Sequence, residues 1–162
     1  VAKSLQTFEF PVNVWSRSPK HIEGVKSFTG AAQLPEFLKA TRVLVNLLPL
    51  TPDTENILNR EHLLQLQHGA YLINVARGRH LVEQDLIDAI DAGHMAGATL
   101  DVFRQEPLPQ DHAFWTHPKI TVTPHTSART LRDESIAQIA SKIKAVYAGQ
   151  AIEGRVDKVR GY

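Results

Sequence analysis

Cysteine is absent from the 162 residues, which excludes a disulfide framework and a thiolate zinc site. Charge of one sign is missing too, since 18 Lys plus Arg stand against 17 Asp plus Glu. A chain so close to neutral lacks the basic excess of nucleic-acid binders, and no nucleic-acid partner is expected. The longest apolar runs, such as residues 43–49, are far shorter than a bilayer crossing needs, and no charged segment followed by an apolar one opens the chain. No membrane partner is therefore expected, and the cytoplasm is the default location. Eight histidines are present, but none forms the H-E-x-x-H arrangement, and no metal site is expected. One further absence bears on the fold. The glycine-rich G-x-G-x-x-G turn, which opens a dinucleotide-binding sheet, occurs nowhere.

What is present has the composition of a globular domain, 43% hydrophobic and 22% charged, with enough residues for one core. Residues 1–8 place Val1, Leu5 and Phe8 at helical spacing, with Pro11 as the stop. VNVW at 12–15 reads as a short strand and SRSPK at 16–20 as a polar loop. Residues 31–40 read as a helix with Pro35 near its first turn, where proline is tolerated. VLVNLL at 43–48 reads as a strand buried on both faces, 49–54 as a loop, and 59–66 as a helix capped by Asn59. The pattern repeats with a strand at 70–75, an acidic-fronted helix at 83–92 stopped by Gly93, and a strand at 97–103. A long loop at 106–118 leads to a last short strand at 120–123. The longest helix, 130–148, gathers Ile136, Ile139, Ala140, Ile143, Val146 and Tyr147 on one side and ends at Gly149. This rhythm predicts an α/β fold, a Rossmann-type parallel sheet with helices on both faces. Residues 129–162 read as a helix and tail appended to it, with the boundary near Arg129.

The chain nevertheless opens in a helix, and its first strand carries residues expected at the end of a second strand. The expectation is a fragment that begins just after the glycine loop, its sheet incomplete for want of the first strand. In a 3-2-1-4-5-6 order that strand lies mid-sheet, and its neighbours would each expose an unpaired apolar edge. The polypeptide alone is then expected to be poorly stable and inactive.

Three polar groups stand just past predicted strands: Arg77, Glu106 and His125. Ligands of open parallel sheets bind outside the carboxyl ends of the strands, and a cation there suits a small anionic substrate. Pro107 and Pro124 constrain the chain beside two of them. Singly, each has an ordinary reading: a surface arginine beside a helix cap, a solvated carboxylate, a loop histidine. Together, in successive βα units, they read as one site.

NVARG (74–78), LDVFRQEPLP (100–109) and TPHTSA (123–128) resemble the three signature stretches of the D-isomer-specific 2-hydroxyacid dehydrogenases. LLPLTPDTENILN (47–59) is similar to that family as well, so the resemblance covers essentially the whole chain. It implies that Arg77 binds the substrate carboxylate and polarises its carbonyl, a task suited to the guanidinium fork. It makes His125 the acid/base that protonates the carbonyl oxygen as hydride arrives at carbon, and Glu106 the partner that orients the imidazole. Related formate dehydrogenases carry glutamine at the position of Glu106, so formate is not an expected substrate. Asp101 is placed near the nicotinamide carboxamide and Ala76 near the nicotinamide side. Leu48, Pro49, Thr54, Val75 and Ser127, with Arg77 and His125, complete the implied cofactor contacts of this part of the chain.

NAD-dependent relatives place an acidic residue at the end of the second strand to bond the ribose hydroxyls. Here the positions read Ser16, Arg17, Ser18 and, further on, Lys20, a set that suits a 2′-phosphate. NADP(H) is the preferred cofactor and NAD(H) the second choice. Within the family the chain is most similar to members that reduce glyoxylate to glycolate and hydroxypyruvate to D-glycerate, notably in WSRSPK, AYLINVARG and the closing VDKVRGY. Alternatives are a D-2-hydroxyacid dehydrogenase for phosphoglycerate or a branched 2-ketoacid, or a non-catalytic dinucleotide-sensing scaffold. The family pattern also implies a homodimer, and a substrate domain to which residues 129–162 belong.

Overall fold

The computed structural model describes residues 1–128, 131–152 and 154–156. The elements run α1 (Ala2–Gln6), β1 (Asn13–Ser16), β2 (Lys26–Thr29), α2 (Leu34–Lys39), β3 (Val43–Asn46), α3 (Arg60–Gln65), β4 (Ala70–Asn74), α4 (Glu83–Asp91), β5 (Met95–Leu100), β6 (Ile120–Val122) and α5 (Arg132–Tyr147). Local chemistry accounts for several of their limits. Pro35 lies in the first turn of α2. The Asn59 side chain accepts the His62 N–H at 3.1 Å and so caps α3. Gly93 takes a left-handed φ of 76° just past α4.

Every strand pairing is parallel, but the strands fall into two sheets: β1 with β2, and a four-stranded sheet in the order β3-β4-β5-β6. Within each, one strand that borders the gap, β1 or β3, keeps an edge unpaired among the described residues, as the sequence leads one to expect. α2 joins the sheets, touching β1 and β2 on one side and α3 on the other. Strand β2 has no counterpart in the sequence reading. Only Phe28 of its four residues is buried, against the Phe37 ring of α2, so KSFT carries no apolar alternation to find.

The core lies between the four-stranded sheet and α2, α3 and α4. Leu44, Leu72, Ala98 and Leu100 of the sheet form one cluster with Leu38, Leu63, Leu86 and Ile90 of the helices. The expectation that β3 is buried on both faces is corrected here. Leu44 is buried whereas Val43 is 54% exposed, because the core covers one face of β3, which among the described residues pairs only with β4. On α5, Ile136, Ile139, Ile143 and Val146 form the expected stripe, but all are more than half exposed and no described residue of the helix is buried. The expected boundary at Arg129, and the tail at 153 and 157–162, lie outside the described residues.

Register places the ends of the large sheet in one row. Asn46 pairs with Asn74, Asn74 with Leu100, and Leu100 with Val122. The residues just beyond that row form a rim at the carboxyl edge.

Candidate active site

Arg77 stands three residues past β4, in extended backbone with φ −142° and ψ 144°. Its exposed guanidinium donates to the Ala76 carbonyl at 2.6 Å. Gly78 explains how this turn reaches the next loop. A Cβ there would sit 1.9 Å from the Phe103 carbonyl carbon and 2.0 Å from its oxygen, so only glycine lets residues 77–79 lie on the backbone of 103–104.

Glu106 stands in that neighbouring loop. Its Oε1 accepts the Phe103 N–H at 3.0 Å, and its Oε2 lies 2.8 Å from His125 Nδ1. The Phe103 N–H is the foremost cause holding the Glu106 carboxyl below its usual range. Partial burial acts the other way, and the His125 bond with the charges of His125 and Arg77 adds to the lowering. An ionised carboxylate can only accept, so His125 Nδ1 carries the proton and Nε2 is left for another partner. Arg77, Glu106 and His125 thus meet on one rim.

His125 takes a left-handed φ of 53°, a strained conformation for a residue with a Cβ. Asp101, at the end of β5 and 1% exposed, over-determines that turn. Its Oδ1 accepts the Thr123 hydroxyl at 2.5 Å and the Thr126 N–H at 2.9 Å. Its Oδ2 accepts the Ser127 N–H at 2.9 Å and the Ser127 hydroxyl at 2.6 Å. Burial acts to raise the Asp101 pKa, but these bonds from Ser127, Thr123 and Thr126 outweigh it and hold the group far below the carboxylate range. Four donors occupy its lone pairs. Any contact with a nicotinamide carboxamide would therefore be additional to this clamping role.

The other residues expected at the cofactor fall in two places. Leu48, Pro49 and Thr54 lie in the loop after β3, where Leu48 N–H donates to Asn46 Oδ1 and the Thr54 hydroxyl to the Pro49 carbonyl. Val75 and Ala76 follow β4, and Ser127 follows β6 with its hydroxyl committed to Asp101. Ser16, Arg17, Ser18 and Lys20 lie at the end of β1, on the separate small sheet. There the Ser16 hydroxyl donates to the Ser18 carbonyl at 2.7 Å, and no carboxylate interrupts residues 16–20. A basic loop without an acid fits a 2′-phosphate and does not offer the acidic partner of ribose hydroxyls. Three buried polar residues under the rim, Asn46, Asn74 and His80, were not singled out from the sequence. A detectable signal existed for two of them, an asparagine closing each of the apolar runs VLVN and AYLIN.

Residues 1–127 match the family model of the D-isomer specific 2-hydroxyacid dehydrogenase, NAD binding domain. Over all 162 residues the chain is 52% identical to the glyoxylate/hydroxypyruvate reductase A of Yersinia enterocolitica and 54% identical to that of Serratia proteamaculans, and covers 52% of each. The chain spans about half the length of the curated relatives it matches. Among solved structures it is similar to a D-isomer specific 2-hydroxyacid dehydrogenase of Xanthobacter autotrophicus Py2 in complex with NADPH and MES. That match has a TM-score of 0.97 and 43% identity, over 99% of this chain and 66% of that one. An NADPH-dependent glyoxylate/hydroxypyruvate reductase of Sinorhizobium meliloti in complex with NADP and sulfate matches with a TM-score of 0.94 and 40% identity, over 99% and 52%.

Proposed function

Because the chain belongs to the D-isomer specific 2-hydroxyacid dehydrogenase family, as its NAD-binding domain, we propose that it serves the NADPH-dependent reduction of small 2-oxoacids, glyoxylate and hydroxypyruvate foremost. The observation that carries this reading is the 2.8 Å pair of His125 and Glu106 on the rim that also presents Arg77. Arg77 holds the substrate carboxylate by its planar fork and draws density from the adjacent carbonyl. His125, kept in register by Glu106 on Nδ1, delivers a proton from Nε2 to the carbonyl oxygen. Glu106 stays ionised throughout and stabilises the doubly protonated ring before transfer. Asp101 keeps the His125 turn in place. The nicotinamide, when bound, supplies the hydride.

Arg17, Ser18 and Lys20 would hold the 2′-phosphate, and the backbone of residues 48–49 and 75–76 would border the rest of the cofactor. Residues 1–128 constitute the nucleotide-binding part, and the exposed apolar stripe of α5 packs toward a substrate domain. The support for that division is the stripe itself, which finds no cover among the described residues.

The test is a panel of 2-oxoacids with oxidation of NADPH followed by absorbance, on the protein purified as the cell makes it. Turnover of glyoxylate and hydroxypyruvate is expected. Silence on every 2-oxoacid would leave the non-catalytic scaffold as the better reading. His125→Ala should lower kcat by roughly 10²–10⁴-fold, and Arg77→Ala should raise KM and lower kcat together. Arg17→Asp should shift preference from NADPH toward NADH. A parent that prefers NADH would overturn the cofactor assignment.

A further inference from the structure

Beneath the rim lies a closed polar network that the mechanism above does not use. Asn46 ends β3, Asn74 ends β4, and His80 follows Arg77 in the short turn Gly78–His80; they are 4%, 0% and 0% exposed. Backbone donors settle which way both amides face. Leu48 N–H donates to Asn46 Oδ1 at 3.1 Å, and Ala76 N–H donates to Asn74 Oδ1 at 3.2 Å. The Asn46 NH₂ group is therefore the end that meets Asn74 Oδ1 and His80 Nδ1, each at 3.0 Å. An amide nitrogen has only hydrogens to offer, so His80 Nδ1 must present its lone pair. The ring proton then sits on Nε2, which donates to the Pro49 carbonyl at 3.2 Å, beside the 2.7 Å bond from the Thr54 hydroxyl to the same oxygen. Asn74 Nδ2 donates to the Arg77 carbonyl at 3.3 Å. Every polar atom of the three side chains is engaged.

We propose that His80 is a positioning residue: a neutral imidazole, protonated on Nε2, that ties the loop of residues 47–54 to the Arg77 turn. One buried network then sets the placement of both segments. The proposal rests on the proposed function only in assigning that loop to the cofactor and Arg77 to the substrate. A cationic His80 is incompatible with the network, because its Nδ1–H would confront the Asn46 NH₂ group. The groups facing the ring are that amide from β3, the Pro49 carbonyl from the loop, and Arg77 from its own turn. Only Arg77 is charged. Burial, foremost, pushes the His80 pKa down and the Arg77 charge adds to this, against the backbone carbonyls of Pro49 and Arg77, which as acceptors favour the protonated ring.

The test uses the protein as the cell makes it, labelled with ¹⁵N-histidine. The ring nitrogens of His80, assigned by comparison with His80→Gln, should report a protonated Nε2 and a bare Nδ1 at neutral pH, with the ring still neutral below the ordinary histidine range. A ring that titrates in the ordinary range, or carries its proton on Nδ1, would overturn the proposal. In variants, His80→Leu should weaken NADPH binding and raise KM for glyoxylate, each about tenfold, with kcat within about threefold. His80→Gln, which can still donate to the Pro49 carbonyl, should recover most of both. A variant that loses only thermal stability, with both affinities intact, would count against the assignment. Should His80→Leu fail to fold, the wild-type spectrum and His80→Gln decide. A wild type that neither binds NADPH nor turns over a 2-oxoacid would sink the functional reading, while the spectrum would still judge the tautomer.

Discussion

Asp101 and His80 are buried polar side chains that hold a turn for an exposed neighbour, His125 in one case and Arg77 in the other. Asp101→Asn should cost about 3 kcal/mol, because an amide turns two hydrogens toward donors that now have a carboxylate. It should also lower kcat, since the strained turn at His125 loses its clamp; denaturant melts with kinetics check both. The pH dependence follows from three depressed groups. Asp101 and Glu106 fall below their ordinary values of 3.8 and 4.5, so their contribution is complete above those values and lost as pH falls through the lower folded ones. His80 falls below 6.5, so the unfolded chain takes up its proton first and stability declines as pH drops from 6.5 toward the folded value. In His80→Gln that decline below pH 6.5 should shrink, a result that urea midpoints at several pH values would read. Arg77, Glu106 and His125 were legible as residues because each follows a strand. His80 was not, since a histidine two residues past a glycine gives no sign of burial.

Among elements, the turn at 77–80 has the least room for change. Gly78→Ala drives a methyl group into the Phe103 carbonyl and should cost at least about 3 kcal/mol while parting Arg77 from the Glu106 loop. By contrast, Asn59→Ala removes the α3 cap, with an exposed bond to the Asn56 carbonyl, at about 1 kcal/mol, and should leave kinetics unchanged. Thermal melts alongside turnover separate the two outcomes. Helices α2, α3 and α4 were readable from first-turn, cap and stop signals. Strand β2 was not, because pairing with β1 and one buried phenylalanine define it rather than any pattern along KSFT. The continuous apolar run of β3 suggested cover on two faces, yet a run of that kind says nothing about which neighbours are present.

At the scale of the molecule, the gap between β1 and β3 governs behaviour. Among the described residues each has unpaired N–H and C=O groups along one edge, and Val43 and Leu47 lie exposed near one of them. The 162-residue polypeptide expressed by itself should melt broadly, aggregate with rising concentration and bind NADPH weakly. A cooperative melt with tight NADPH binding would contradict this, by scanning calorimetry and titration. The stripe on α5 adds a second apolar surface, and trimming Ile139 and Ile143 to Ser should raise the solubility of the isolated chain. No helix among the described residues is long and apolar enough to cross a membrane.

Apart from β2, the order of strands and helices, and the residues that follow each strand, were determined by the sequence alone, because alternation, caps and stops are local properties of the chain. The three signature stretches likewise stand in the sequence without help from the fold. The tertiary structure decided what those residues touch. Gly78 lying on the backbone of 103–104, Asp101 gathering four donors from 123–127, and His80 joining two loops are contacts across 22 to 31 positions, which no local pattern encodes. It also decided that the sheet is split, because a strand's edge is satisfied only by a neighbour brought to it in space.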